Sequence, residues 1–67
     1  MNYLIKDQQL RQTHTDMQKL LTNVRMQLSS GLLSDREAML MRSVSNNLST
    51  AISRMDYLLA SPVKAQN

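Results

Sequence analysis

Gln27-Leu28-Ser29-Ser30-Gly31-Leu32-Leu33-Ser34-Asp35-Arg36-Glu37 reads as the end of one helix followed almost at once by the start of another. Gly31 is the only glycine of the chain. It stands where a left-handed residue closes a helix C-terminus, a conformation that glycine takes without a Cβ clash. Leu32, the next residue, is expected to pack back on Met26 or Gln27 one turn earlier. Ser34-Asp35-Arg36-Glu37 then has the spacing of a capping box. The Ser34 hydroxyl is placed to accept from the Glu37 backbone N–H, and the Glu37 carboxylate to accept from the Ser34 N–H. Asp35 and Glu37 also put negative charge in the first helical turn, where the helix dipole favours it. A stop and a start so close together make the two helices antiparallel neighbours.

Upstream of the turn, Tyr3, Leu10, Met17 and Val24 recur every seven residues, and His14, Leu21 and Leu28 repeat in the same period four residues behind Leu10, Met17 and Val24. Leu20 widens this stripe, which has the three-and-four spacing of an amphipathic helix. The weak point is Thr13-His14-Thr15-Asp16, where helix propensity is mediocre and Thr13 and Asp16 are spaced like a second capping pair. Two outcomes stand open: one helix from about residue 3 to 29, or a short extra N-terminal segment with a break near 12–15. Asn2 is a candidate cap for its start. His14 is expected as a half-buried helix residue with one ring nitrogen in water, the alternatives being a pH sensor or a ligand for a partner's carboxylate.

Downstream, Met41, Leu48 and Met55 repeat at seven, with Val44, Ala51 and Leu58 three residues behind each and Ile52 and Leu59 one further on. Ala38 begins the stripe. Helix two is expected over about 35–60, ending at Ser61-Pro62 because proline disfavours helical geometry in the residue before it. Residues 61–67 read as a mobile tail. The fold class is therefore all-α, an antiparallel two-helix hairpin of coiled-coil character in a single domain.

Composition narrows function by exclusion. The chain has 67 residues, no cysteine and one histidine. Disulfides, thiolate metal sites and multi-histidine metal sites are not available to one copy. Five acidic residues lie apart from one another and outside the stripes, the histidine has no nucleophile spaced for a triad, and one glycine cannot build a phosphate loop. No catalytic, cofactor-binding or metal-ligating residues are assigned, and the chain is expected not to be an enzyme and to bind no small molecule. The net charge of +3 is spread singly over Lys6, Arg11, Lys19, Arg25, Arg36, Arg42, Arg54 and Lys64. Most of these have an acid nearby, so no nucleic-acid face is expected. With two tyrosines as the only aromatic residues, base stacking has little to work with. No apolar run approaches a membrane span, and Lys6-Asp7-Gln8-Gln9 interrupts any signal-peptide core.

What remains is a surplus of apolar side chains. Two helices hide only one seam from each other, and the stripes are wider than that. Each Leu or Met left in water forgoes roughly 1.5–3 kcal/mol of burial, and several of them rival the whole stability of so small a domain, about 5 kcal/mol or less. Met17, Leu20, Val24, Met39, Leu40, Val44, Ala51, Met55, Tyr57 and Leu58 are the candidates for a face covered by another protein or a second copy. Six methionines in the chain suit an adaptable binding surface.

Met17-Gln18-Lys19-Leu20-Leu21-Thr22-Asn23-Val24, the Ser30-Gly31 turn, and Asn47-Leu48-Ser49-Thr50-Ala51-Ile52-Ser53-Arg54-Met55-Asp56-Tyr57-Leu58 together resemble the small co-chaperones of the needle subunit in bacterial type III secretion, the YscE/PscE type. The likeness runs from about Met17 to Leu59, and the first third of the chain matches poorly. It implies an antiparallel helical hairpin in the bacterial cytoplasm. There it would pair with a tetratricopeptide-like chaperone and, through it, keep the needle subunit monomeric before export. The needle subunit itself is also a small hairpin, but its turn is richer in Pro and Asn and its C-terminus is helical, so the chaperone is the better match. The alternative is a self-associating hairpin, two copies forming a four-helix bundle with an architectural or nucleic-acid-related role. A weak homodimer is also compatible with the first reading. A small DNA-binding regulator is the third candidate, with Arg36 and Arg42 a thin basis for it.

Overall fold

The computed structural model describes the backbone of residues 2–60 and the side chains of residues 6–60. The expected tail 61–67, the Asn2 cap and the place of Tyr3 on the stripe lie outside the described residues. Two helices make up the fold, α1 over Asn2–Ser29 and α2 over Asp35–Ala60. They lie side by side as an antiparallel hairpin with extents of 51 × 16 × 13 Å. Its radius of gyration, 15.6 Å, exceeds the roughly 11 Å of a compact chain of this length. The molecule is a rod, and most of each helix faces water.

α1 is continuous, so the alternative with a break near residues 12–15 is not realised. Two interactions account for this. Asp16 does not cap a new helix: its Oδ1 accepts from Gln12 Nε2 at 2.9 Å, one turn back. His14 turns into the seam, where Nε2 meets Asp56 Oδ1 of α2 at 2.5 Å. Tertiary contact thus offsets the weak local propensity. A further i,i+4 pair, Arg11 Nε to Asp7 Oδ2 at 2.9 Å, lies on the exposed surface one turn earlier.

The seam is made by residues alternately three and four apart, the knobs-into-holes pattern. On α1 these are Leu10, His14, Met17, Leu21, Val24 and Leu28; on α2 they are Ala38, Met41, Ser45, Leu48, Ile52, Met55 and Leu59, all buried or half-buried. Among the described residues, only Leu21, Val24 and Ile52 fall to 9% exposure or less. The core is a thin line, and its least exposed side chain, Val24, lies in the turn-proximal third of α1. Ser45 is a polar residue in a seam position that the apolar pattern alone passes over.

The turn is held by hydrogen bonds more than by packing. Gly31 has φ +77°, and an added Cβ would meet nothing within 4 Å, so its requirement for glycine is conformational and not steric. The Ser30 N–H donates to Gln27 O at 3.2 Å. The Ser30 hydroxyl donates to the same carbonyl at 2.6 Å and accepts from the Leu32 N–H at 3.2 Å. In a Schellman cap the Leu32 N–H would reach the Gln27 carbonyl directly; here a serine hydroxyl is inserted between them. The expected return of Leu32 onto Met26 or Gln27 is corrected by this geometry. With the hydroxyl interposed, Leu32 is not drawn back over the helix end, and it is 86% exposed. On the other side of the turn, the Ser34 N–H donates to Glu37 Oε1 at 2.9 Å and the Glu37 N–H to Ser34 Oγ at 3.1 Å. Leu33, half-buried, holds the position before the cap that pairs with the fourth helical residue, Ala38, also half-buried.

Candidate protein-interaction surface

The two sides of the seam differ in chemistry. Residues directly after the second seam position of each heptad line one side. There Arg25 Nη2 approaches Ser49 Oγ at 3.5 Å, and Asp56 meets His14. Arg11, Thr15 and Asp56 border a hollow on the same side. This flank is polar and its groups answer one another across the hairpin.

The opposite flank carries the residues that directly precede Leu21, Ser45, Ile52 and Leu59, namely Leu20, Val44, Ala51 and Leu58. A shallow groove on this side is lined by Met17, Ala51, Met55 and Leu58, together with the polar Asn47, Thr50 and Arg54. Leu20, Val44 and Leu58 are 50%, 41% and 49% exposed. Helical geometry stacks Leu20 on the same ridge as Met17, three residues earlier, and Leu40 one turn before Val44. The result is an apolar strip to which both helices contribute. It runs from Leu40 near the turn to Leu58 near the open end, interrupted by Asn47 and Arg54.

The sequence candidates divide accordingly. Leu20, Leu40, Val44, Ala51 and Leu58 lie together on the strip. Met17 and Met55 are half-buried seam residues whose edges reach its groove. Val24 is 4% exposed and belongs to the seam: α2 covers it, and it cannot also meet a partner while the hairpin is closed. Met39 lies across the helix from the strip, and Tyr57, largely exposed, points away from both helices. The Met41-Leu48-Met55 line selects Ile52 and Leu59 as its seam companions, and leaves Val44, Ala51 and Leu58 outside. From sequence the two companion rows were equally apolar. Hydrophobicity does not separate them; the direction of the partner helix does.

Three features escape sequence reasoning. Asp56 as the partner of His14 needs the register of the two helices. Leu32 as the most exposed large apolar side chain among the described residues follows from the Ser30 hydroxyl. Met26, exposed on the outer side of α1, carries no periodic signal because it falls off the stripe. Among the described residues no helix is long and apolar enough to cross a membrane, and no group of His, Cys, Asp or Glu is arranged to hold a metal ion.

Comparison of the chain with protein-family models, with curated proteins and with solved structures yields no match.

Proposed function

We propose that this chain is a non-enzymatic protein-binding co-chaperone. It docks through the Leu20–Val44–Ala51–Leu58 strip on a tetratricopeptide-like chaperone and so helps hold a type III secretion needle subunit in the bacterial cytoplasm before export. The observation that carries the binding role is the strip itself. It leaves several large apolar side chains about half exposed on one flank, while the other flank is closed by polar contacts. An apolar strip rimmed by polar residues is the surface feature of a binding site. The particular partner and cargo rest on the resemblance over Met17–Leu59. The decisive experiment is co-expression with the tetratricopeptide-like chaperone and needle subunit of the same genome. A stable ternary complex, lost in the doubly substituted L20E/L58E chain, is expected; a wild-type chain that recovers neither protein refutes the proposal.

A second reading is favoured by one feature: both helices contribute to the strip side by side, as in half of a four-helix bundle. Two copies facing each other through it would form a homodimer with a structural or regulatory role. Sedimentation of the purified chain over a range of concentrations separates the two, since only self-association makes the mass depend on concentration.

A further inference from the structure

The apolar strip has a polar rim on each helix. Asp16 and Asn23 set the rim on α1, Asn47 and Arg54 the rim on α2. Each directly precedes a seam residue, Met17, Val24, Leu48 or Met55, and all four are exposed. Asn47 and Arg54 line the groove beside Ala51 and Leu58. Along the strip, Asp16 and Arg54 are the only charged residues on this flank. Among the described residues the ion pairs are Arg11–Asp7 and His14–Asp56, so neither has a charged partner within the hairpin. Asp16 accepts from the neutral Gln12.

The two rims stand in register. His14 meets Asp56 across the seam, and in an antiparallel pair equal steps along both helices keep level. Two residues from that contact towards the turn stand Asp16 and Arg54; nine residues from it stand Asn23 and Asn47. An acid and a base therefore face outward at one height on opposite rims. Two amides do the same about 10 Å nearer the turn.

We infer that in the free protein a second copy of this chain covers the strip, related by a two-fold axis along the rod, so that both turns lie at the same pole. The inference rests on the second reading above and gives that dimer its orientation and its recognition residues. Such an axis sets α1 of each copy over α2 of the other at equal height. Asp16 then opposes the other copy's Arg54, and by symmetry this happens twice. Asn23 opposes the other copy's Asn47 in the same way, and an amide both donates and accepts, so these pairs also close. Leu20, Val44, Ala51 and Leu58 fill the space between the rims. A two-fold axis across the rod instead lays each helix on its own counterpart in reverse, and neither Asp16 nor Arg54 then meets an opposite charge on the facing rim. Charge selects the lengthwise arrangement, a four-helix bundle in which every neighbour is antiparallel. The backbone extents across the rod are 16 and 13 Å. With α2 about 39 Å long, the shared face has a footprint of roughly 500–600 Å² before side-chain relief is counted, close to the lower edge of a standard interface, about 600 Å² per partner. That area makes the dimer reversible, so the chaperone proposed above for the same strip would displace the second copy.

The test is sedimentation of the full chain over a range of concentrations, for the parent, D16R, R54D and D16R/R54D, with helicity recorded by circular dichroism. The chain has no cysteine, so L32C at the exposed turn takes a single spin label whose distance to its copy reports orientation. A parent dimer is expected, weakened about tenfold by either single reversal, which sets like charges opposite each other twice, and restored to within about threefold of the parent in D16R/R54D. The labels are expected about 20 Å apart, two helix layers plus the label arms. D16R also breaks the Gln12 bond; should it lose helicity, R54D carries the result alone. Labels about 40 Å apart, the outcome of a two-fold across a strip whose midpoint lies about 20 Å from the turn, would overturn the orientation and leave the second reading standing. So would an R54D dimer as tight as the parent's. A parent that stays monomeric throughout overturns both, and its capture by the tetratricopeptide-like chaperone would then assign the strip to that protein.

Discussion

Ile52→Ala tests whether the thin seam is what holds the hairpin together. Among the described residues Ile52 is one of three side chains with 9% exposure or less, with Leu21 and Val24. Removing its outer carbons costs the lost transfer energy plus the cavity left behind, about 2–5 kcal/mol for Ile→Ala in well-packed cores. The lower end applies here, about 2–3 kcal/mol, because a seam open to water on both edges can collapse or admit solvent. A domain of this size has about 5 kcal/mol or less to lose, so half the stability depends on one residue. At about 4–8 °C per kcal/mol for a domain of this class, the melt should fall by roughly 10–20 °C. The assay is thermal unfolding followed by circular dichroism, with Leu58→Ala as the paired control. Leu58 is already half exposed, and its truncation should cost less than about 1 kcal/mol in an isolated hairpin. The reasoning is refuted if Ile52→Ala melts with the parent, or if Leu58→Ala costs as much. Equal costs that rise with protein concentration would mean that a second copy covers the strip.

Gly31→Ala should destabilise by about 1–2 kcal/mol, the cost of a Cβ in the left-handed region, although open space surrounds the position; a melt unchanged from wild type would contradict this. Ser34→Ala and Glu37→Ala should each cost about 0.5–2 kcal/mol. Because the two bonds brace one helix start, the double variant should lose less than the sum of the singles, as a double-mutant cycle will read. Ser45→Ala should stabilise by a few tenths of a kcal/mol, through better helix propensity at a half-buried seam position; a lower melting temperature would show that the hydroxyl matters. Asp56→Ala should cost under about 1 kcal/mol, since its carboxylate is 62% exposed. Its signature is local: faster amide exchange in residues 10–17 than around Val24.

The turn was the most legible part of the chain because its signals are chemical and local. Gly31, Ser34 and Glu37 act on backbone groups within four residues, so their meaning does not depend on what lies elsewhere. The two helices were legible for a related reason: periodicity in the sequence is periodicity on a cylinder. What could not be read locally was anything that depends on the second helix. The continuity of α1 through Thr13-His14-Thr15-Asp16 draws on Asp56, distant in sequence, as well as on the local Gln12–Asp16 bond. Whether Ile52 or Ala51 faces inward is decided by the side from which α1 approaches. The sequence alone does not separate Val24 from the surface candidates, for the same reason. Leu32 failed differently. Gly31 marks the cap, but a serine directly before it can insert its hydroxyl into the cap, and then the leucine that follows is released to water. Ser-Gly-Leu at a helix end carries that signal once it is known.

Antiparallel pairing also puts the N-terminal end of α1 and the C-terminal end of α2 next to each other, about 40 Å from the turn along the rod. Any fusion, dye or surface anchor attached at the start of α1 or at Ala60 therefore sits at the far pole from Leu32. Immobilised in this way, the molecules stand like bristles with their loops outward, so a sensor surface can present the distal pole unobstructed without engineering the middle of the chain.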